Sequence, residues 1–247
     1  MSPSSLSSYY SGTIVQRSRG TPQGGVISPV LANLFLHYVF DSWMKKHHTG
    51  MPWCRYADDG LVHCKTETAA QSIKEALAKR FKQCGLMLHP DKTKIVYCKD
   101  WSRNGNHKEV KFDFLGYTFR PRVVKIKATK ALRVSFTPAV SSKALKAMRE
   151  KTRQWNIRNQ TELALKDIAK LYNPVIRGWL EYYGNYCPSA LYPFCRHFNK
   201  TLTAWAMHKY KKFMGHKTRA SRYVQKIAQK NPQMFAHWKR GMRGGFV

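Results

Sequence analysis

The chain has 247 residues, 43% of them hydrophobic, and its 44 Lys and Arg against 13 Asp and Glu give a formal net charge of +31. That is long and apolar enough for one large domain or two modest ones with real cores. No run of about 18 apolar residues and no signal-type segment occurs, which argues against membrane spanning and secretion. Six cysteines without a Cys-x-x-Cys pair leave no zinc module in view and point to reduced thiols. The expected setting is therefore intracellular, cytoplasmic and associated with a polyanion. Most of the excess charge sits late in the chain, where residues 121 to 247 carry 27 basic and 4 acidic side chains. Nucleic acid is the expected partner of such a field, because each neutralised phosphate releases counterions.

In chain order, residues 1 to 11 are polar and are expected to be irregular. A short strand over Thr13–Gln16 leads into Arg17-Ser-Arg-Gly-Thr-Pro-Gln-Gly-Gly-Val-Ile-Ser-Pro29. Glycines there let backbone approach a ligand, and the Gln23 amide suits a base edge or sugar. Ser28 and Pro29 form a cap and first-turn pair for a helix that is apolar nearly all round as far as Met44 and is expected to be buried. Without a Gly-Lys-Ser or Gly-Lys-Thr ending, the loop is not a P-loop.

Trp53-Cys-Arg-Tyr-Ala-Asp-Asp-Gly-Leu-Val-His-Cys64 follows, with two short apolar strands flanking Asp58 and Asp59. Asp59-Gly60 is a strong hairpin signal, since both residues tolerate positive φ. Asp-Asp-Gly alone is ordinary turn chemistry. Two adjacent anions repel, however, and a divalent cation removes that cost. In two-metal chemistry such carboxylates hold Mg²⁺ ions that clamp the attacking and leaving oxygens of a phosphoryl displacement. Cys54 and Cys64 beside them read as small core residues.

An amphipathic helix is expected from Glu67 to Cys84, with Ile73, Leu77, Phe81 and Cys84 on one stripe and Gly85 as its stop. His89-Pro-Asp-Lys92 reads as a turn before a strand over Thr93–Tyr97, with Lys92 either a solvated turn residue or a neutraliser of a triphosphate. Beyond a polar loop with an Asn104-Gly105 turn, an aromatic strand over 110–119 is broken by Gly116, where a bulge or a close backbone approach is expected, read either as a strand kink or as a nucleic-acid contact. A basic strand-like segment then runs from Val123 to Phe136 and is expected to end at Pro138. Ser141 caps a helix reaching about Trp155, and further helices are expected over 161–172, 174–183 and 190–212. Trp179, Tyr182, Tyr183, Tyr186, Trp205 and Tyr210 read mainly as packing residues, while 219–243 reads as an RNA-tracking surface.

Together these stretches resemble the reverse transcriptase/maturase proteins encoded by group II introns. The likeness is carried in order by Arg19-Gly-Thr-Pro-Gln-Gly-Gly-Val-Ile-Ser-Pro29, Tyr56-Ala-Asp-Asp59, Gly85-Leu-Met-Leu-His-Pro-Asp-Lys-Thr93, Phe114-Leu-Gly-Tyr117 and Asn173-Pro-Val-Ile-Arg-Gly-Trp-Leu-Glu-Tyr-Tyr183. The resemblance implies an α+β fold: a partial palm over 12–122, with an antiparallel sheet and packed helices, then a helical thumb/maturase domain over 123–247. It implies that Asp58 and Asp59 are the catalytic, metal-holding aspartates, with Mg²⁺, or Mn²⁺ in its place, as the ion. Gln23, Gly24 and Lys92 would line the nucleotide site, Leu115, Gly116 and Tyr117 would grip the primer, and Arg177 would lie on the RNA-binding surface. Implied partners are group II intron RNA, an RNA template with a DNA primer, and dNTPs. The resemblance also implies functions in splicing and retrohoming.

Fingers and a third metal-binding aspartate on an earlier palm strand, expected from the family, have no counterpart here. No later carboxylate obviously replaces that aspartate: Asp41 falls in the helix expected to be buried, and neither Asp91 nor Asp113 matches it. The expectation is thus a chain truncated at its N-terminus that binds Mg²⁺ poorly, with a separate fingers fragment as an optional partner. The alternative is a non-catalytic RNA-binding maturase or the remnant of a disrupted intron protein.

Overall fold

The computed structural model describes residues 7–10, 13–16, 25–126 and 129–246, in two compact units, Met1–Ile95 and Val96–Val247. In the first unit, β1 (Ser7–Tyr10) pairs antiparallel with β2 (Thr13–Gln16), Tyr10 opposite Thr13. This corrects the expected irregular start. Ser7-Ser-Tyr-Tyr10 carries no alternating apolar signal, yet tyrosine suits a strand once a partner ladder exists.

α1 (Ser28–Leu36), a π-helical turn (His37–Asp41) and α2 (Ser42–His47) follow one another without a break. Such a π turn locally rotates the helix face, and the burial pattern changes there. Val39, Phe40 and Met44 are buried, whereas α1 buries nothing and leaves Val30 64% and Leu34 51% exposed. The expectation of a wholly buried helix is thus corrected: apolar all round requires a cover on every side, and none of the described residues covers α1.

β3 (Trp53–Tyr56) and β4 (Asp59–Val62) form a separate hairpin. Its inner face and α3 (Glu67–Gln83) close a small core of Phe40, Met44 and Ile73, with Trp53, Leu77 and Phe81 packed around it. α3 has the expected stripe and ends. Thr66 Oγ1 accepts from the Ala69 N–H at 3.2 Å, and Gly85 takes φ +72° just past the end. The strand expected over 93–97 does not form; that stretch is irregular. Cys54, expected in the core, is exposed, because it alternates away from Trp53 on β3.

The second unit opens with a three-stranded antiparallel sheet, β5 (Phe112–Phe114), β6 (Tyr117–Lys125) and β7 (Leu132–Val140), in that order. The expected kink at Gly116 is instead a two-residue hairpin turn: Leu115 and Gly116 both have positive φ, 50° and 78°, and Phe114 pairs with Tyr117. Two positive φ values give the tight turn that follows strand twist. The basic segment is a second hairpin, and Pro138 lies inside β7 rather than ending it, which an edge strand tolerates.

Ser141 then caps α4 (Ser142–Gln154), accepting from Ala144 N–H at 3.1 Å. The helices expected over 161–172 and 174–183 are a single α5 (Leu165–Tyr183) with Pro174 inside it. An interior proline costs roughly 3 kcal/mol, and packing offsets it. Asn173 beside it donates to Met234 O at 2.8 Å and accepts from Ala236 N–H at 2.9 Å, while Ile176 and Leu180 are fully buried. At the start of α5, Asp167 reaches back to the Ala164 N–H at 3.0 Å. α6 (Tyr192–Lys209), α7 (Lys217–Lys230) and α8 (Ala236–Lys239) complete one large core around Phe194, Phe198, Trp205, Phe235 and Trp238. No helix among the described residues is long and apolar enough to cross a membrane.

Candidate active site and nucleic-acid interface

Asp58 and Asp59 stand at the tip of the β3–β4 hairpin, but the turn itself lies two residues before the Asp59-Gly60 pair that signals it in the sequence. Tyr56 pairs with Asp59 and Arg55 with Gly60, so Asp59 and Gly60 belong to β4 and the two turn residues are Ala57 and Asp58. The positive φ falls on Ala57, at 52°. An L-residue with a side chain holds that conformation at a cost of about 1 kcal/mol, which the surroundings must offset.

Arg55 supplies that support. Its Nε and Nη2 donate to the two Asp41 carboxylate oxygens at 2.7 and 2.6 Å, and its Nη1 donates to Ala57 O at 2.8 Å and Asn33 Oδ1 at 3.0 Å. One guanidinium thus ties α1, the π turn and the carbonyl of the strained turn residue together. The hydrogen bond and charge of Arg55, with smaller help from His37, hold the Asp41 carboxyl below its usual range against the opposing effect of burial. Asp41 is therefore committed to Arg55. Read from the sequence, Arg55 has no role and Asp41 is only a carboxylate in the apolar helix, since fourteen positions separate them and only the fold brings them together.

Asp58 and Asp59 are exposed and carry no ion pair among the described residues. Their donor chemistry fits a hard divalent cation, which Mg²⁺ typically satisfies with one or two carboxylates, waters and substrate phosphates. No group of three or more His, Cys, Asp or Glu able to hold a metal occurs among the described residues. Lys92 lies exposed in a turn of the same unit, whereas Gln23 and Gly24 lie outside the described residues.

The Leu115-Gly116 turn belongs to the second unit and is held by tyrosines at the end of α5. Tyr182 Oη donates to Leu115 O at 3.0 Å, and the Tyr117 hydroxyl donates to Tyr182 O. Tyr183 presses so close that a Cβ on Gly116 would meet its Oη at 2.6 Å, which with φ +78° makes glycine obligatory. Tyr117 itself is buried among Tyr182, Tyr183 and Tyr186; burial first, then those neighbouring phenols, push its pKa up and keep it a donor. Leu115 is the exposed member of the turn, and Arg177 is exposed on α5. The cage of Tyr182 and Tyr183 was visible in the sequence only as aromatic packing.

Two family models match the chain. A reverse transcriptase (RNA-dependent DNA polymerase) model matches residues 5–119, and a group II intron maturase-specific domain model matches residues 145–224. A comparison with curated proteins matches nothing. The chain belongs to the reverse transcriptase/maturase proteins encoded by group II introns. Its reverse-transcriptase match places it in the RNA-directed DNA polymerase family.

Proposed function

We propose that this chain works in two-metal nucleotidyl transfer, with Asp58 and Asp59 as the metal-holding pair and group II intron RNA bound by the basic helical region. The functional partition proposed is a palm over 12–122 and a thumb/maturase region over 123–247. Bound Mg²⁺, or Mn²⁺ in its place, would supply charge neutralisation at the transferred phosphoryl group. The observation that carries the reading is the hairpin tip: two exposed carboxylates, unpaired among the described residues, on and beside a strained turn whose carbonyl is held by Arg55. Rigid presentation of charged ligands is what positioning catalysis needs, since small displacements cost orders of magnitude in rate.

In this reading Arg55 holds the turn, Lys92 neutralises dNTP phosphate charge, and Gln23 and Gly24 line the nucleotide site. Leu115 and Gly116 contact the primer strand, Tyr117 holds their turn in place, and Arg177 contacts RNA. The substrates are an RNA template with a DNA primer and dNTPs, and the location is the cytoplasm. The test is Mg²⁺-dependent primer extension on an RNA template, with and without a supplied fingers fragment. Extension that disappears in both Asp58→Ala and Asp59→Ala, with RNA affinity unchanged, is the expected result.

A second reading, a splicing maturase that binds RNA without polymerising, is favoured by the exposed apolar face of α1 and by the pair's having no third carboxylate beside it. Salt-sensitive binding to structured intron RNA with no extension under any condition would establish that reading and remove the polymerase one.

A further inference from the structure

The second unit contains a basic cleft that the polymerase chemistry does not use. The end of α4 and the helical turn after it contribute Arg153, Asn156 and Arg158, and the facing stretch of α6 contributes His197, Lys200 and Thr201. The cleft encloses about 450 Å³. Its shape follows from Asn156, whose left-handed backbone (φ 49°) reverses the chain after α4 and returns Arg158 to the same hollow as Arg153. Asn159 donates to Asn156 Oδ1 at 2.9 Å, which leaves the Asn156 amide nitrogen as a donor.

No carboxylate lines the cleft, and no carboxylate pairs with Arg153, Arg158 or Lys200 among the described residues. Three exposed cations gathered without a counter-charge repel one another, and an anion in the cleft would relieve that cost. His197 adds a second sign. Its Nε2 is buried without a hydrogen-bond partner. Burial, then the charges of Arg153, Arg149 and Lys200, hold its imidazole below the usual range. On α4, Arg149 and Arg153 share one face at helical spacing and continue the positive field toward the cleft, while Lys146, one turn earlier, lies 3.9 Å from Glu150. A line of cations leading into a cleft suits a chain of phosphates better than one free ion.

We propose that the cleft seats a backbone phosphodiester of bound RNA, gripped by Arg153, Arg158 and Lys200 with the Asn156 amide donating to a phosphate oxygen. The proposal rests on the reading that this region binds RNA and assigns a seat within it. The three cations supply charge, and the αL reversal at Asn156 supplies the geometry.

The test uses the full chain and a fluorescein-labelled single-stranded RNA, read by anisotropy across a salt series. Arg153→Gln/Arg158→Gln/Lys200→Gln is compared with Lys45→Gln/Lys79→Gln/Lys82→Gln in the first unit, which removes the same charge from exposed positions outside the basic helical region. The cleft variant is expected to lose at least about tenfold more affinity than the control and to flatten the salt slope by about two to three units, against less than about one in the control. Equal losses in both variants would overturn the seat while leaving RNA binding intact. Failure of the unaltered chain to bind RNA would overturn both.

His197 ring resonances give the local arm. They are expected to shift with RNA, to stop shifting in the cleft variant, and to stay unmoved by inorganic phosphate at about 1 mM, an affinity range typical of weak ion binding. Saturation by inorganic phosphate below that level would make the cleft a free-anion site and sink the proposal.

Discussion

The two compact units of this protein solve the burial problem differently. The second hides Phe194, Phe198, Trp205, Phe235 and Trp238 at 1% exposure or less, and inserts a polar network among them. Asn199 Oδ1 accepts from Trp238 Nε1 at 2.9 Å and meets His237 Nε2 at 2.7 Å, while its amide nitrogen donates to Gly244 O at 2.8 Å. Among the described residues, the first unit centres on Phe40, Met44 and Ile73, leaves α1 uncovered, and relies on the Arg55–Asp41 pair to hold its β3–β4 turn. Apolar composition alone therefore does not make a core: the second unit has helices facing one another, whereas α1 has no facing element among the described residues.

The largest effect expected from this contrast is at Phe198. Truncation to Ala should cost about 4 kcal/mol, because a fully buried aromatic side chain leaves both lost transfer energy and a cavity. Phe40→Ala, in the thinner core, should cost about half as much, because that core collapses more readily. Hydrogen exchange followed separately in α6 and α3 measures both. Equal losses would show that the first unit is packed as tightly as the second, and the comparison would fail.

Arg55→Gln comes next, at about 2 kcal/mol. It removes the bidentate partner of a carboxylate only 17% exposed, but water at the hairpin edge screens part of the loss. Exchange of the β3–β4 amides should rise, with α6 unaffected. An unchanged hairpin would mean that β3–β4 pairing alone holds the turn, and Arg55 would lose its positioning role.

The same contrast shows what the sequence made legible. α3 was readable because its stripe, cap and glycine stop agree, and the hairpin that carries Asp58 and Asp59 because its turn residues and flanking strands agree. The α1 face was misread because periodicity reports how apolar a helix is, not whether anything covers it. Pro174 divided α5 on paper, since local propensity counts the missing N–H and cannot see the Asn173 contacts sixty residues away that hold the helix together. Arg55, Asp41 and the tyrosine cage around Gly116 depend on long-range contacts that no local spacing encodes. Asp59-Gly60 suggested the turn, and the ladder set it two residues earlier, at Ala57-Asp58, because register follows strand pairing as a whole.

Acid should distinguish the units by where their stability is lost. Burial lowers the His237 pKa from 6.5 to about 3, so the folded state stays unprotonated while the unfolded state gains a proton as pH falls below 6.5. Its contribution is complete above that value and is lost progressively toward pH 3, by about 2 kcal/mol between pH 7 and pH 5. Asp41 is likewise depressed, below 3.8, so its pair with Arg55 stabilises the first unit above that value and fails only as pH falls further. Protection in α6 should therefore weaken by pH 5 while protection in the hairpin holds. A His237→Gln variant should flatten the α6 dependence, and an unchanged pH slope would place the sensitivity elsewhere.

The smallest effect concerns the strain at the β3–β4 turn. Ala57 occupies φ 52°, where a methyl group costs about 1 kcal/mol that glycine avoids. Glycine also loses more backbone freedom on folding, by roughly 0.5–1 kcal/mol, so the two terms nearly cancel. Ala57→Gly should therefore leave hairpin stability within about 0.5 kcal/mol of its starting value, with a slight gain favoured by the tight Tyr56–Asp59 closure. If the turn is held by Arg55 through the Ala57 carbonyl, that group is unchanged in the variant and amide exchange at the tip should not rise. In the background of Arg55→Gln, however, the freer glycine should loosen the tip more than alanine does. Additive behaviour of the two changes would separate the strain from the guanidinium, and would leave Arg55 holding Asp41 rather than the turn.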